Sequence, residues 1–416
     1  MAAVATGCLV GAQLSALAAT TVVNRATTAG VYDKTQTWNA STVDYDHDGD
    51  EDVWIGFHQW GGKLWSNDGD GTYTRVASSA WPRTNSQGGV PDRHACAWAD
   101  VDGNGWVDAY CSTGRNQSNY VKGSARDNEL WLQTSKGVFS EVGTQWKVGD
   151  DCGRGRFVAF IYANNDTRPD LFLGNETPRN NPSDPCDNPA NGLPNEESKL
   201  FLNQGGTGLT YAPTFFRFGA GPGQRCAEVL DYNRDGRQDL LTCRLKSKPP
   251  LLYRNNGGTS FTEVSKSVGL TTPVSDAVPI DIDKDGDTDL VFAASGAFTY
   301  RLNNNGTFGA STQIRAITTG QGRSVAAGDA DGDGDIDVYG MVRSDNGNPN
   351  DFVFLRSGTT WTQVTVPAST GDGDEVVALH PLGALQPVQF LALNGGNSSP
   401  PGGSGGGPVQ LLLVQL

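Results

Sequence analysis

Residues 281–289 read DIDKDGDTD, and residues 329–337 read DADGDGDID. Each nonamer alternates aspartate with another residue through position five, carries glycine at position six, and returns to aspartate at position nine. Working outward, the same string stands at 44–52 (DYDHDGDED), 100–108 (DVDGNGWVD) and 231–239 (DYNRDGRQD), and in degraded form at 162–170 (YANNDTRPD). Copies roughly 50–70 residues apart mark a repeat architecture. Every copy is followed by a strand-like run, such as LVFA after Asp289 and VYGM after Asp337. Runs such as AVPI and SVAA precede them. Short apolar runs broken by Gly/Asn/Asp clusters are an all-β signal.

A second landmark recurs in phase. LWSNDGDGTYTRV (64–76), LFLNQGGTGLTYA (200–212), LLYRNNGGTSFTEV (251–264) and YRLNNNGTFGA (300–310) each place an Asn/Gly turn between two strands. Such turns suit the positive φ of tight hairpins. A unit therefore reads strand, acidic loop, strand, variable loop, strand, hairpin, strand, which is one four-stranded propeller blade. A seventh copy without acidic residues is legible at 376–393. Its last strand is missing at the C-terminus, and residues 20–30 can supply it. The expected fold is all-β: a single seven-bladed propeller over 20–416, closed by an N-terminal strand. The linker-like SSPPGGSGGG (398–407) takes the variable-loop slot of blade seven.

An Asp-x-Asp-x-Asp-Gly run turns alternate carboxylates toward one hard cation, which takes 6–8 oxygens. The candidate calcium ligands are Asp44, Asp46, Asp48 and Asp52; Asp100, Asp102, Asn104 and Asp108; and Asp231, Asn233, Asp235 and Asp239. Two further loops supply Asp281, Asp283, Asp285 and Asp289, and Asp329, Asp331, Asp333 and Asp337. Five calcium sites are expected, structural rather than catalytic. The third loop keeps Asn164, Asp166 and Asp170, but has Tyr162 at position one and Thr167 in place of glycine. An EF-hand needs glutamate at position twelve, where these loops hold Ile55, Cys111, Thr242, Phe292 and Gly340.

Residues 1–19 are apolar and end on small residues, as a signal peptide does. No later stretch is long and apolar enough to span a bilayer, so a secreted or periplasmic protein is expected. Six cysteines follow. Cys96 lies four residues before the first Asp of its loop and Cys111 eleven after it; Cys226 lies five before and Cys243 twelve after. Both pairs sum to the same offset, as directly opposed residues of antiparallel strands must. Cys96–Cys111 and Cys226–Cys243 are therefore expected as disulfides, with Cys152–Cys186 by elimination. The net charge of −15 argues against a nucleic-acid partner.

The acidic loops resemble the FG-GAP/VCBS repeats of integrin α-subunit heads and of many bacterial exported proteins. The Asn/Gly hairpins are similar to those of cartilage-acidic-protein relatives. The resemblance implies a calcium-stabilised binding or adhesion module outside the cytoplasm, with a glycan or protein ligand, and a monomer is expected. The lead-ins to the first strands lie opposite the acidic loops. There Arg93, His94, Arg154, Arg156 and Arg225 are candidate ligand contacts, with Trp60 as an exposed aromatic. The alternative is a polysaccharide-active enzyme, lyase or hydrolase, using His58, His94, Arg93 and Trp60. No nucleophile or phosphate-binding motif is present.

Overall fold

In the computed structural model, the structure describes residues 20–58, 60–81, 90–114, 127–150, 153–176, 197–215, 224–244, 248–343, 351–367, 373–381, 383, 386–395 and 407–416. They form seven four-stranded antiparallel sheets, the strands numbered β1–β28 in chain order. Six sheets run consecutively in sequence. The seventh has the order β1-β28-β27-β26, so Thr21–Asn24 pairs with Gln410–Gln415. The closing strand is where the sequence places it. β27 (Gln389–Leu393) pairs with β28, so the connection between them is internal to blade seven; residues 398–406 of the Gly/Ser/Pro stretch lie outside the described residues.

The first strands of the blades are β2 (Thr37–Val43), β6 (Arg93–Ala99), β10 (Gly155–Ile161), β14 (Gln224–Leu230), β18 (Asp276–Ile280), β22 (Gln321–Gly328) and β26 (Glu375–Leu379). Each touches the next, and β26 touches β2, so they line the axis of a closed ring. Second strands such as Asp52–Phe57, Asp108–Thr113 and Asp170–Asn175 are buried at every position. A blade's middle strand is covered on both faces by neighbouring blades. That is why these runs are continuously apolar instead of alternating.

The core consequently lies between blades. Trp54 of blade one is fully buried against Cys96, Cys111 and Trp131 of blade two. A Cβ at Gly62 would lie 2.2 Å from the Trp54 indole nitrogen, so only glycine admits that ring. Trp65 and Trp131 are buried too, and Trp60 is 48% exposed. Cys96 opposes Cys111 and Cys226 opposes Cys243 in register, and both pairs are disulfide-bonded. Cys152 and Cys186 lie outside the described residues.

Candidate functional site

Register divides the candidate residues between two faces. In blade five Ile280 opposes Asp289 beside the acidic loop, while Asp276 opposes Ala293 at the far end. The acidic loops therefore all open on one face, and the lead-ins to the first strands open on the other.

On the first face, position one caps the turn. The Asp281 carboxylate accepts from the N–H groups of Asp285 (3.1 Å) and Gly286 (2.8 Å), and Asp44, Asp231 and Asp329 do the same at equivalent or adjacent positions. Position six glycine has positive φ in five loops. Position four does too in all six, whether it is His47, Gly103, Asn165, Arg234, Lys284 or Gly332. Carboxylate oxygens of Asp44, Asp46 and Asp48 converge within 4.8 Å, as do those of Asp281, Asp283 and Asp285 and of Asp100, Asp102 and Asp108. Oδ1 of Asp46 is buried without a hydrogen-bond partner. Clustered, all-oxygen and partly orphaned acceptors fit a hard cation.

Position nine, besides standing beside the other carboxylates of its loop, is held by backbone N–H groups. Asp289 is fully buried. Its Oδ2 accepts from the Ile282 N–H of its own loop (3.0 Å) and its Oδ1 from the Asn303 N–H at the end of the third strand (2.6 Å). Asp52, Asp108, Asp170 and Asp239 make the same pair of bonds. Asp337 also does so, with Ala330 and Arg356. The residue pins the loop to the third strand whether or not the loop has a full ligand set. Burial pushes Asp52, Asp108, Asp239 and Asp337 up to about 7, against the N–H donors that favour the anion.

The opposite face opens on the axis. A cavity of ≈160 Å³ is lined by Trp38, Arg156, Arg225, Asp276, Arg323 and Glu375, with Phe157, Glu176, Arg343 and Asp374. Arg156 pairs with Glu176, and Arg323 lies 3.7 Å from Asp374. Arg225 is different: among the described residues no carboxylate comes within ion-pair reach of it. Burial lowers its pKa, with Asp276 and Glu375 the nearest opposing charges. Burial raises Asp276 and Glu375, and pushes Glu228 up to about 8.

The structure brings together only part of the candidate ligand set. Arg156 and Arg225 line the cavity, and His94 contacts Arg156 (3.1 Å). Arg93 is fully buried, bound to Glu129 (2.5 Å) and 5.5 Å from the rings of both Trp81 and Trp131, so it packs blade two. Arg154 is 3% exposed and does not line the cavity. His58 and His94 do meet, 6.0 Å apart with Asp92 bridging them, as the alternative reading requires, but without Arg93. Sequence reasoning missed Trp38 as a lining residue; it placed Asp276 and Glu375 on this face among the arginines, and both line the cavity.

The profile of the FG-GAP-like repeat matches residues 44–111, 231–292 and 281–340. The degraded third loop and blade seven fall outside these matches. No curated protein matches the chain. Among solved structures, a lectin of Agrocybe aegerita that recognises non-reducing terminal N-acetylglucosamine aligns at TM-score 0.51 and 17% identity, covering 82% of this chain and 83% of the lectin. YCF48 bound to D1 peptide aligns at TM-score 0.51 and 11% identity, covering 92% and 93%. At such identities the likeness is one of fold. With its four-stranded blades and its closing strand, the chain is a seven-bladed β-propeller that carries FG-GAP-like repeats over residues 44–111 and 231–340.

Proposed function

We propose that this propeller is an extracytoplasmic, calcium-stabilised binding module whose ligand enters the axial cavity opposite the acidic loops. The observation that carries the reading is Arg225, a half-buried guanidinium facing a cavity without an ion-pair partner among the described residues. A buried cation without a partner is costly, and a ligand carboxylate or sulfate can pair with it bidentately. The cavity is small against the 300–1,000 Å³ typical of drug-sized pockets. It suits one acidic sugar residue, or one acidic side chain of a protein loop, and an acidic glycan is the ligand we favour.

Two disulfides support an oxidising compartment. No helix among the described residues is long and apolar enough to cross a membrane. Calcium at the acidic loops would neutralise crowded carboxylates. Asp44, Asp46 and Asp48, and their counterparts in the other four complete loops, would hold it, while position nine fixes the loop to the blade.

Binding to an array of acidic and neutral glycans, with acidic peptides in parallel, tests the ligand. An acidic-glycan hit is expected that weakens with salt and falls at least tenfold in Arg225→Ala, with the melting temperature maintained. Hits confined to peptides would favour a protein ligand. No anionic hit, or one indifferent to Arg225→Ala, would overturn the cavity as the site.

A further inference from the structure

His58, Asp92 and His94 form a cluster that neither the acidic loops nor the cavity accounts for. His58 follows the second strand of blade one. Asp92 and His94 sit two apart at the lead-in to β6, and so face the same side of an extended chain. His58 Nδ1 lies 3.0 Å from Asp92 Oδ1, and His94 Nε2 lies 3.2 Å from Asp92 Oδ2. The three side chains offer ligand atoms all within 4.8 Å of one another.

His94 Nδ1 lies 2.8 Å from the Gly155 carbonyl, and the Arg156 guanidinium stands 3.1 Å from the same nitrogen and 4.6 Å from the Trp38 ring. Nε2 is the nitrogen turned toward Asp92. Zinc bonds of about 2.0–2.2 Å in tetrahedral array put neighbouring ligand atoms ~3.3 Å apart, close to the spacings here.

The surroundings agree. The Gly155 carbonyl orients a ligating imidazole as outer-shell acceptors do. Trp38 stacks on His94 at 4.3 Å and on His58 at 5.5 Å, and the two imidazole planes lie within 19° of parallel. A Cβ on Gly114 would lie 2.3 Å from His94 Nε2 and 2.7 Å from Asp92 Oδ2, so this position keeps the space beside both ligands clear. The side chains of His58 and Asp92 are 19% and 16% exposed, which leaves solvent a path to a further coordination position.

We infer that His58, Asp92 and His94 bind one divalent first-row transition ion, zinc or cobalt in class, at the edge of the axial cavity. Two imidazoles and one carboxylate select such an ion over calcium. The site is separate from the acidic loops, which open on the other face. Because Trp38 and Arg156 border both cluster and cavity, an ion here would place a Lewis acid beside the proposed anion seat.

The test uses the full chain, stripped of metals and then saturated with calcium. Cobalt titration should show one equivalent bound, with the visible absorption of a four- or five-coordinate ion, displaced by zinc. Affinity should fall at least a hundredfold in His94→Gln and tenfold or more in His58→Gln. Gly114→Ala should weaken binding without removing a ligand. Should the buried His94→Gln fail to fold, His58→Gln, on a partly exposed turn, carries the test. Absence of cobalt binding above the calcium loops, or binding unchanged in His58→Gln, would overturn the assignment.

Discussion

Asp170 belongs to the loop that has tyrosine at position one, yet it keeps both backbone hydrogen bonds of its kind, to the N–H groups of Ala163 and Asn203. It therefore separates two roles that overlap elsewhere. Asp170→Asn should cost about 2 kcal/mol, the scale of hydrogen bonds to a charged acceptor, and the loss should be the same with calcium or with chelator. Asp283→Ala should destabilise only when calcium is present, because it removes a proposed ligand from one site; paired urea melts distinguish the two. Chelation of the wild type should lower its melting temperature, and calcium should restore it. A melt of metal-free protein that ignores calcium would remove the structural-calcium reading. Glu228 supplies a pH signature. Its folded pKa is raised to about 8 by burial, above the ordinary 4.5. Its contribution is therefore complete below about pH 4.5 and is lost as pH rises through about 8. The melting temperature should fall between pH 5 and 9, and Glu228→Gln should flatten that slope.

At the scale of elements, the hairpin asparagines do more than turn the chain. Asn303 Nδ2 donates to the Thr288 carbonyl of its own loop (3.0 Å) and to the Tyr232 carbonyl of the preceding blade (2.7 Å). Asn67, Asn203 and Asn255 reach back in the same way to Pro381, Val101 and Ala163. Gln133 and Arg356 substitute at the remaining two joints of this kind, reaching Tyr45 and Ile282. Asn303→Ala should cost about 2–3 kcal/mol, by leaving two buried carbonyls short of a donor, and Asn303→Asp should not rescue it. Each of these asparagines is conspicuous in the sequence as a turn former, and that explains how the repeat, the blade and the strand order are legible from spacing alone. The bond to the preceding blade is not, because its partner is 71 to 102 residues away for Asn303, Asn255 and Asn203 and 314 away for Asn67, and is a carbonyl, which every residue has. Arg93 shows the same limit. Its place at the start of a first strand marks it as a ligand contact, but Glu129 and Trp131 come from the third strand of its blade and Trp81 from the segment that follows blade one. Repetition made the architecture legible, and the departures from repetition made the axial site hard to foresee.

At the scale of the whole molecule, the ring is not uniform. Six joints carry a hairpin-to-loop bond across blades. At the joint between blades six and seven the corresponding hairpin is absent, because blade seven is completed by β1 and β28. There, among the described residues, Val388 N–H donates to the Asp329 carbonyl instead (2.8 Å). Removing residues 20–30 should therefore expose the β28 edge at this joint, and the shortened protein should aggregate or unfold with lower cooperativity. Unchanged unfolding of that variant would show that closure does not depend on β1.

The pairing of Thr21 with Gln415 also fixes how the ring would respond to force. Both residues lie at one end of the antiparallel pair, so a pull between them is directed across the strands. Its hydrogen bonds would be loaded one after another and would open like a zipper. The blades elsewhere hold their strands by covalent turns. A module tethered by one end alone would hang with its ring unstressed, and the same module stretched between both ends would fail first at its closing strand. Single-molecule pulling from the two termini should show an early low-force event that releases β1, well before the remaining blades unravel.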